Sequence, residues 1–66
     1  MNYRETLYRL NTLLELLQQH AEVSSDFLLQ NLQVSRTTLQ RDIENLQNLG
    51  HEIEYCRKRK MYVLMH

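Results

Sequence analysis

The sequence VSRTTLQRDIENL occupies residues 34–46 and combines an apolar stripe with a polar surface. Leu39, Ile43 and Leu46 recur at helical spacing, which predicts a helix with one side packed against a core. The other sides carry hydroxyl, amide and guanidinium groups, which are the groups that contact DNA bases and phosphates. This stretch therefore predicts a helix that reads nucleic acid. Its candidate contact residues are Ser35, Arg36, Thr37, Thr38, Gln40 and Arg41.

An amphipathic helix is predicted near the start of the chain, over residues 3–19. Its apolar positions step by four, three, four and three residues, which is typical of a helix face that packs against a core. Leu13 and Leu16 form a second apolar strip beside the first. That strip fits either a wide core face or a surface for a dimer or another partner. The first stripe consists of Tyr3, Leu7, Leu10, Leu14 and Leu17.

A short helix is predicted between these two, over residues 25–32, after a connector at 20–23. Ser24 is a suitable N-cap for it, because its hydroxyl can accept an otherwise unpaired backbone N–H. Ser35 has the same role for the third helix, which is predicted over residues 36–48. Only three residues separate the two helices, and so short a turn predicts the steep crossing of a helix-turn-helix unit.

A β-hairpin is predicted after the third helix. Gly50 stands where a helix often ends in a left-handed residue, and the residues beyond it predict strands over 52–56 and 61–65. The four residues between the strands are all cations, which fits either a solvated turn or a wing on the DNA backbone or in the minor groove. Four adjacent cations repel one another without an anionic partner, which favours the wing. The tip consists of Arg57, Lys58, Arg59 and Lys60.

The hairpin tip and the helix arginines also set an expected salt dependence. If the four tip cations, Arg36 and Arg41 all met phosphates, the logarithm of the binding constant would fall against log salt with a slope of about −5 per protomer.

Length and composition argue against an enzyme. The 66 residues predict one domain, 1–66, which is too short to enclose a deep catalytic cavity. Eight Lys and Arg residues balance eight Asp and Glu residues, so the net charge is zero, although positive charge is concentrated in the hairpin. No apolar run could span a membrane and no signal peptide is visible, so a cytoplasmic location is expected.

Metal and thiol chemistry are not expected either. Cys56 is the single cysteine, which excludes an internal disulfide. His20, His51 and His66 do not group with Cys56 at the spacing of metal ligands. Cys56 is therefore predicted to be an inert, small apolar side chain, and no cofactor is expected.

Two acidic residues within the third helix, Asp42 and Glu44, would repel phosphates if they faced DNA. We expect Asp42 to pair with Arg41, with Arg36 or with a basic residue of the preceding helix. Such a pair would hold the arginines that face the DNA groove in place.

Residues 34–43, VSRTTLQRDI, resemble the V-S-x-x-T-I/L-x-R-D-I/L segment of DeoR-type winged helix-turn-helix repressors. Leu46, Leu49 and Gly50 match the x-x-L-x-x-L-G that usually follows. Residues 53–64 resemble the wing of WYL-type regulators, which often reads I-E-Y-D-x-x-x-x-G-Y-x-L. The resemblance covers nearly the whole chain. It implies an α+β winged helix-turn-helix fold, in which three helices precede a two-stranded hairpin wing.

The resemblance implies a transcriptional regulator that binds double-stranded DNA, commonly as a homodimer, through the helix residues above and the wing at 57–60.

Three departures from the family pattern lead to expectations about the structure. Leu29 replaces the usual Ala, so its larger side chain must be accommodated where the helices cross. Gln33 replaces a Gly, so Gln33 is expected to adopt a left-handed backbone at some cost. The usual Gly near Met61 is missing, so a more open wing tip is expected. The family's C-terminal sensor domain has no counterpart here, so the chain is either free-standing or one domain of a longer regulator.

A protein-interaction module of the same fold is the competing interpretation. Winged helices can dock partners through a leucine-rich first helix and a hairpin, and the zero net charge favours this interpretation. Arg36 and Arg41 favour DNA, because an interaction module does not need them. DNA binding that weakens with salt would separate the two interpretations.

Overall fold

The computed structural model describes residues 3–65, so His66 lies outside the described residues. Three helices precede a small antiparallel sheet, and the fold is the predicted winged helix-turn-helix. The helices and the hairpin strands have the predicted bounds, and one strand was not predicted. The elements are α1 (Tyr3–Gln19), β1 (Val23–Ser24), α2 (Ser25–Leu32), α3 (Arg36–Asn48), β2 (Glu52–Cys56) and β3 (Met61–Met65).

One apolar core joins the three helices to the sheet. Burial of this surface is the main favourable term in folding. The predicted stripe of α3 is confirmed, because Leu39, Ile43 and Leu46 are all buried. The remaining buried apolar residues are Leu10, Leu13, Leu17, Val23, Leu28, Ile53 and Tyr62.

The stripe predicted for α1 reaches the core only from Leu10 onward, where Leu10 and Leu17 are buried and Leu14 is partly buried. Tyr3 is 76% exposed and Leu7 is 44% exposed, so the prediction that they face the core is wrong. A helix of 17 residues is about 25 Å long, whereas the eight-residue α2 is about 12 Å long and cannot cover it. The second strip belongs to the core, since Leu13 is fully buried and Leu16 packs against the cluster.

The predicted connector contains the short strand β1, which makes the sheet three-stranded in the order β1-β3-β2. Val23 is paired with Tyr62 and Ser24 with Met61. The Ser25 N–H also donates to the Lys60 carbonyl at 3.1 Å. A strand of two residues is too short to show an alternating pattern. Through these bonds the hairpin is anchored to the start of α2.

Serine caps fix both helices of the helix-turn-helix. The Ser24 hydroxyl accepts the Phe27 N–H at 3.0 Å, and the Ser35 hydroxyl accepts the Thr38 N–H at 3.2 Å, as predicted. Gln33 has a φ of 55°, which confirms the left-handed backbone expected where the family usually has Gly. The Gln33 N–H donates to the Leu29 carbonyl and closes the end of α2. The turn that sets the angle of α3 is therefore held at both ends.

Gln33→Gly should stabilise the domain. A side chain in the left-handed region costs about 1–2 kcal/mol, and the larger freedom of Gly in the unfolded chain offsets part of the gain. We expect the free energy of unfolding to rise by about 0.5–1 kcal/mol in a urea titration followed by circular dichroism. Gln33→Ala is the matched control, because it keeps a Cβ atom and should give no such gain. Equal effects of the two changes would contradict the explanation.

Asp42 is buried against α1, not against the arginines of its own helix. The Arg9 guanidinium donates to its two carboxylate oxygens at 2.5 and 3.1 Å. Side-chain exposure is 16% for Arg9 and 2% for Asp42. The prediction that Asp42 pairs with Arg41, Arg36 or the preceding helix is wrong, because residues one or six apart do not face each other on a helix. The ion pair fixes the rotation of α3 against α1.

Candidate nucleic-acid interface

Opposite sides of α3 face the core and the solvent. Successive residues are about 100° apart around a helix, and the four buried residues of α3 fall on one side. The opposite side carries Thr37, Arg41 and Glu44, all of them exposed. The flank toward the hairpin carries Arg36 and Gln40, which are also exposed. The buried four are Leu39, Asp42, Ile43 and Leu46.

A groove of about 410 Å³ lies between α3 and the hairpin. It brings together three predicted contact residues from distant parts of the chain: Arg36 and Gln40 of α3 and Arg57 of the wing tip. Two guanidinium groups and an amide therefore share one concave surface. The polar residues that complete the lining are Ser25, Glu44, Gln47, Tyr55 and Tyr62.

Two tyrosines form the hairpin side of this groove. Tyr55 and Tyr62 are cross-strand partners, and their ring centroids are 4.6 Å apart. Burial raises the pKa of Tyr62, the nearby Tyr55 raises it further, and Arg36 lowers it. Tyr62 therefore stays neutral at physiological pH and can donate a hydrogen bond. Its ring is part of the core, so it also supports the shape of the groove.

Ser35 and Thr38 form hydrogen bonds with each other at the start of α3. The Ser35 hydroxyl accepts the Thr38 N–H, and it donates to the Thr38 hydroxyl at 3.2 Å. Thr38 is also partly buried. The two residues therefore fix the helix end, and their contacts with DNA stay a prediction.

Arg36 carries a weak internal ion pair. Its guanidinium lies 3.3 Å from an Asp26 carboxylate oxygen, and both side chains are more than half exposed. Pairs of this kind contribute little to stability because water screens them. A phosphate could therefore replace Asp26 at Arg36 at little cost.

The four cations of the wing tip are not equivalent. Arg57, Lys58 and Lys60 are exposed, and Lys60 adopts a left-handed φ of 54°, one residue before Met61, near which the family usually has Gly. The Arg59 guanidinium instead lies 2.7 Å from a Glu22 carboxylate oxygen. Hydrogen bonds from the backbone and side chain of Arg59 lower the pKa of the Cys56 thiol. Arg59 is exposed as well, with 57% of its side chain accessible, but its guanidinium is already paired with Glu22.

The arrangement of α3 and the hairpin agrees with the family to which the sequence is similar. The model of a helix-turn-helix domain family, described as an HTH domain, matches residues 9–62. The chain belongs to this family. Membership indicates DNA binding by a transcription regulator. Neither curated proteins nor solved structures give a significant match.

None of the helices within residues 3–65 has the length and apolar character that crossing a bilayer requires. The same residues contain no cluster of three or more His, Cys, Asp or Glu side chains that could hold a metal ion.

Several residues that shape the interface of the HTH domain were not predicted. Gln47 donates from its amide to the Ile53 carbonyl at 2.9 Å and ties the C-terminal half of α3 to the hairpin. Ser25 lines the groove and is buried, and its hydroxyl has no hydrogen-bond partner among the described residues. The strand register that pairs Tyr55 with Tyr62 follows from a four-residue tip. The sequence held a signal for the tyrosine pair but none for Ser25 or Gln47.

Proposed function

We propose that this HTH domain binds specific sequences of double-stranded DNA, with α3 in the major groove and the wing on the backbone or in the minor groove. One observation supports the proposal above the others: Arg36, Gln40 and Arg57 line a single groove. The recognition helix and the wing thus present their cations and amides to the same partner. The proposal assigns no catalytic step to the chain.

The proposed contacts divide into base readers and backbone contacts. Arg41 and Gln40 have the fork and amide groups that read guanine and adenine in the major groove. Lys58, Lys60 and Arg57 are suited to phosphates because they are exposed cations at the wing tip. Ser35, Arg36, Thr37, Thr38 and Arg59 complete the proposed set of contact residues. Two of these residues carry ion pairs, and Arg59 is the less available of them because it lies 2.7 Å from Glu22, whereas Arg36 lies 3.3 Å from Asp26.

The first experiment is a fluorescence anisotropy titration of a labelled duplex at several salt concentrations. Four cations are available for phosphates if Arg59 stays with Glu22 and Arg41 reads a base. The slope of log binding constant against log salt should then be about −4 per protomer. The proposal would be contradicted by a folded chain that binds no duplex at low salt, or by an affinity that does not change with salt concentration.

The family motif also supports narrower proposals. The VSRTTLQRDI segment and the wing sequence favour a DeoR-type or WYL-type regulator that acts as a repressor. A homodimer on a partly palindromic site would follow from that assignment. The same proposal assigns the protein to a bacterium and to its cytoplasm.

A second candidate function is docking of a protein partner through α1 and the hairpin. Tyr3 and Tyr8 are each 76% exposed and Leu7 is 44% exposed, so the N-terminal half of α1 offers apolar surface to a partner. This candidate requires no binding of DNA. The same titration separates the two, because a docking module should show no salt-dependent affinity for a duplex.

A further inference from the structure

Glu44 occupies a position on α3 that a DNA-binding surface would usually keep free of negative charge. It lies on the side opposite the buried residues, close to the direction of Thr37 and one turn beyond Gln40. It also lines the groove shared with Arg36 and Arg57. With α3 placed in the major groove as proposed, a carboxylate at this position lies near a base edge or a phosphate.

The other acidic residue of α3 behaves differently. Asp42 is buried and its charge is balanced by Arg9, so it does not face a partner. Glu44 is exposed, and no ion pair within residues 3–65 includes it. No ion pair therefore holds its carboxylate in the free protein. Contact with phosphates would be repulsive, so a bound Glu44 needs a donor on the DNA.

We propose that Glu44 is a specificity-determining residue, which accepts a hydrogen bond from the N4 amino group of a cytosine in the major groove. This inference rests on the proposed placement of α3. Cytosine presents a donor at this edge, which suits a carboxylate. The other three bases suit a carboxylate less well. Adenine has an N6 donor, but its N7 acceptor lies beside that donor. Guanine presents only acceptors, and thymine presents an acceptor and a methyl group.

Glu44 also explains how a chain of zero net charge can favour a specific site. On a sequence without the cytosine, its carboxylate is close to the DNA and has no donor, so the affinity for that sequence falls. Arg36, Arg57 and the exposed lysines still attract any duplex. Glu44 opposes this general attraction except where its hydrogen bond forms. The residue therefore lowers non-specific binding more than specific binding.

The test compares base preferences of the wild type, Glu44→Gln and Glu44→Ala, measured by selection from a random duplex pool and by anisotropy on the selected site. Glu44→Gln should change the preferred base at one position from cytosine to adenine, because a carboxamide pairs with adenine N6 and N7. Glu44→Ala should lose the preference there, with a discrimination loss of roughly tenfold. It should also bind mixed-sequence duplexes several-fold more tightly than the wild type.

Glu54→Gln is the matched control. It removes the same charge from an exposed position of β2, in a groove lined by Glu22, Cys56 and Arg59 on the other side of the hairpin. It should leave the preferred bases unchanged. Unchanged preferences in both Glu44 variants, with or without a uniform gain in affinity, would overturn the inference while the proposed function stands. A wild type that binds no duplex would instead remove the proposed function itself.

Discussion

Arg9→Ala should strongly destabilise this domain. The change leaves the Asp42 carboxylate buried, with 2% of its side chain exposed and without its partner. Breaking a buried pair from one side costs about 3–5 kcal/mol. A chain of 66 residues has a total stability of about 3–10 kcal/mol, so the loss is a large fraction of it. Thermal unfolding followed by circular dichroism should show a Tm lower by at least about 12 °C.

Two further variants separate the ion pair from simple loss of packing. Arg9→Met together with Asp42→Leu replaces both charges with apolar groups, and such replacements are often neutral or stabilising. The double variant should recover most of the stability that Arg9→Ala loses. Arg41→Ala removes an exposed arginine and should change the Tm little. An Arg9→Ala protein as stable as the wild type would show that the Arg9–Asp42 pair does not hold α3.

The parts of the fold that were predictable depend on local patterns. The stripe of Leu39, Ile43 and Leu46 indicated α3 through its spacing, and Ser24 and Ser35 indicated helix starts through their capping chemistry. These signals lie within one or two turns of the residues they predict. The bounds of the helices therefore agree with the structure.

The parts that were not predictable depend on contacts between distant residues. Arg9 and Asp42 are separated by 33 positions, and no local pattern links them. The Glu22–Arg59 pair joins the residue before β1 to the wing tip, and neither that strand nor its pairing had a sequence signal. The exposure of Tyr3 likewise depends on the short length of α2. For the interface, the sequence predicted candidate residues but not which cations are free.

Arg41→Ala should have the largest effect on DNA binding among the exposed residues of α3. Arg41 is exposed on the side opposite the core, and no ion pair within residues 3–65 includes it. A guanidinium that bonds guanine O6 and N7 is worth about 1–3 kcal/mol, which corresponds to roughly a five- to 150-fold loss of affinity for the preferred site. Anisotropy titrations on the selected site and on a scrambled duplex measure this loss.

Lys58→Ala is the control variant for Arg41→Ala. Lys58 is an exposed cation at the wing tip, so we propose that it contacts a phosphate. Its loss should weaken binding to both duplexes by a similar factor and make the salt slope about 1 less steep. Arg41→Ala should instead reduce the difference in affinity between the two duplexes. Equal, small losses for both variants on both duplexes would contradict this division, because neither α3 nor the wing would then be reading the sequence.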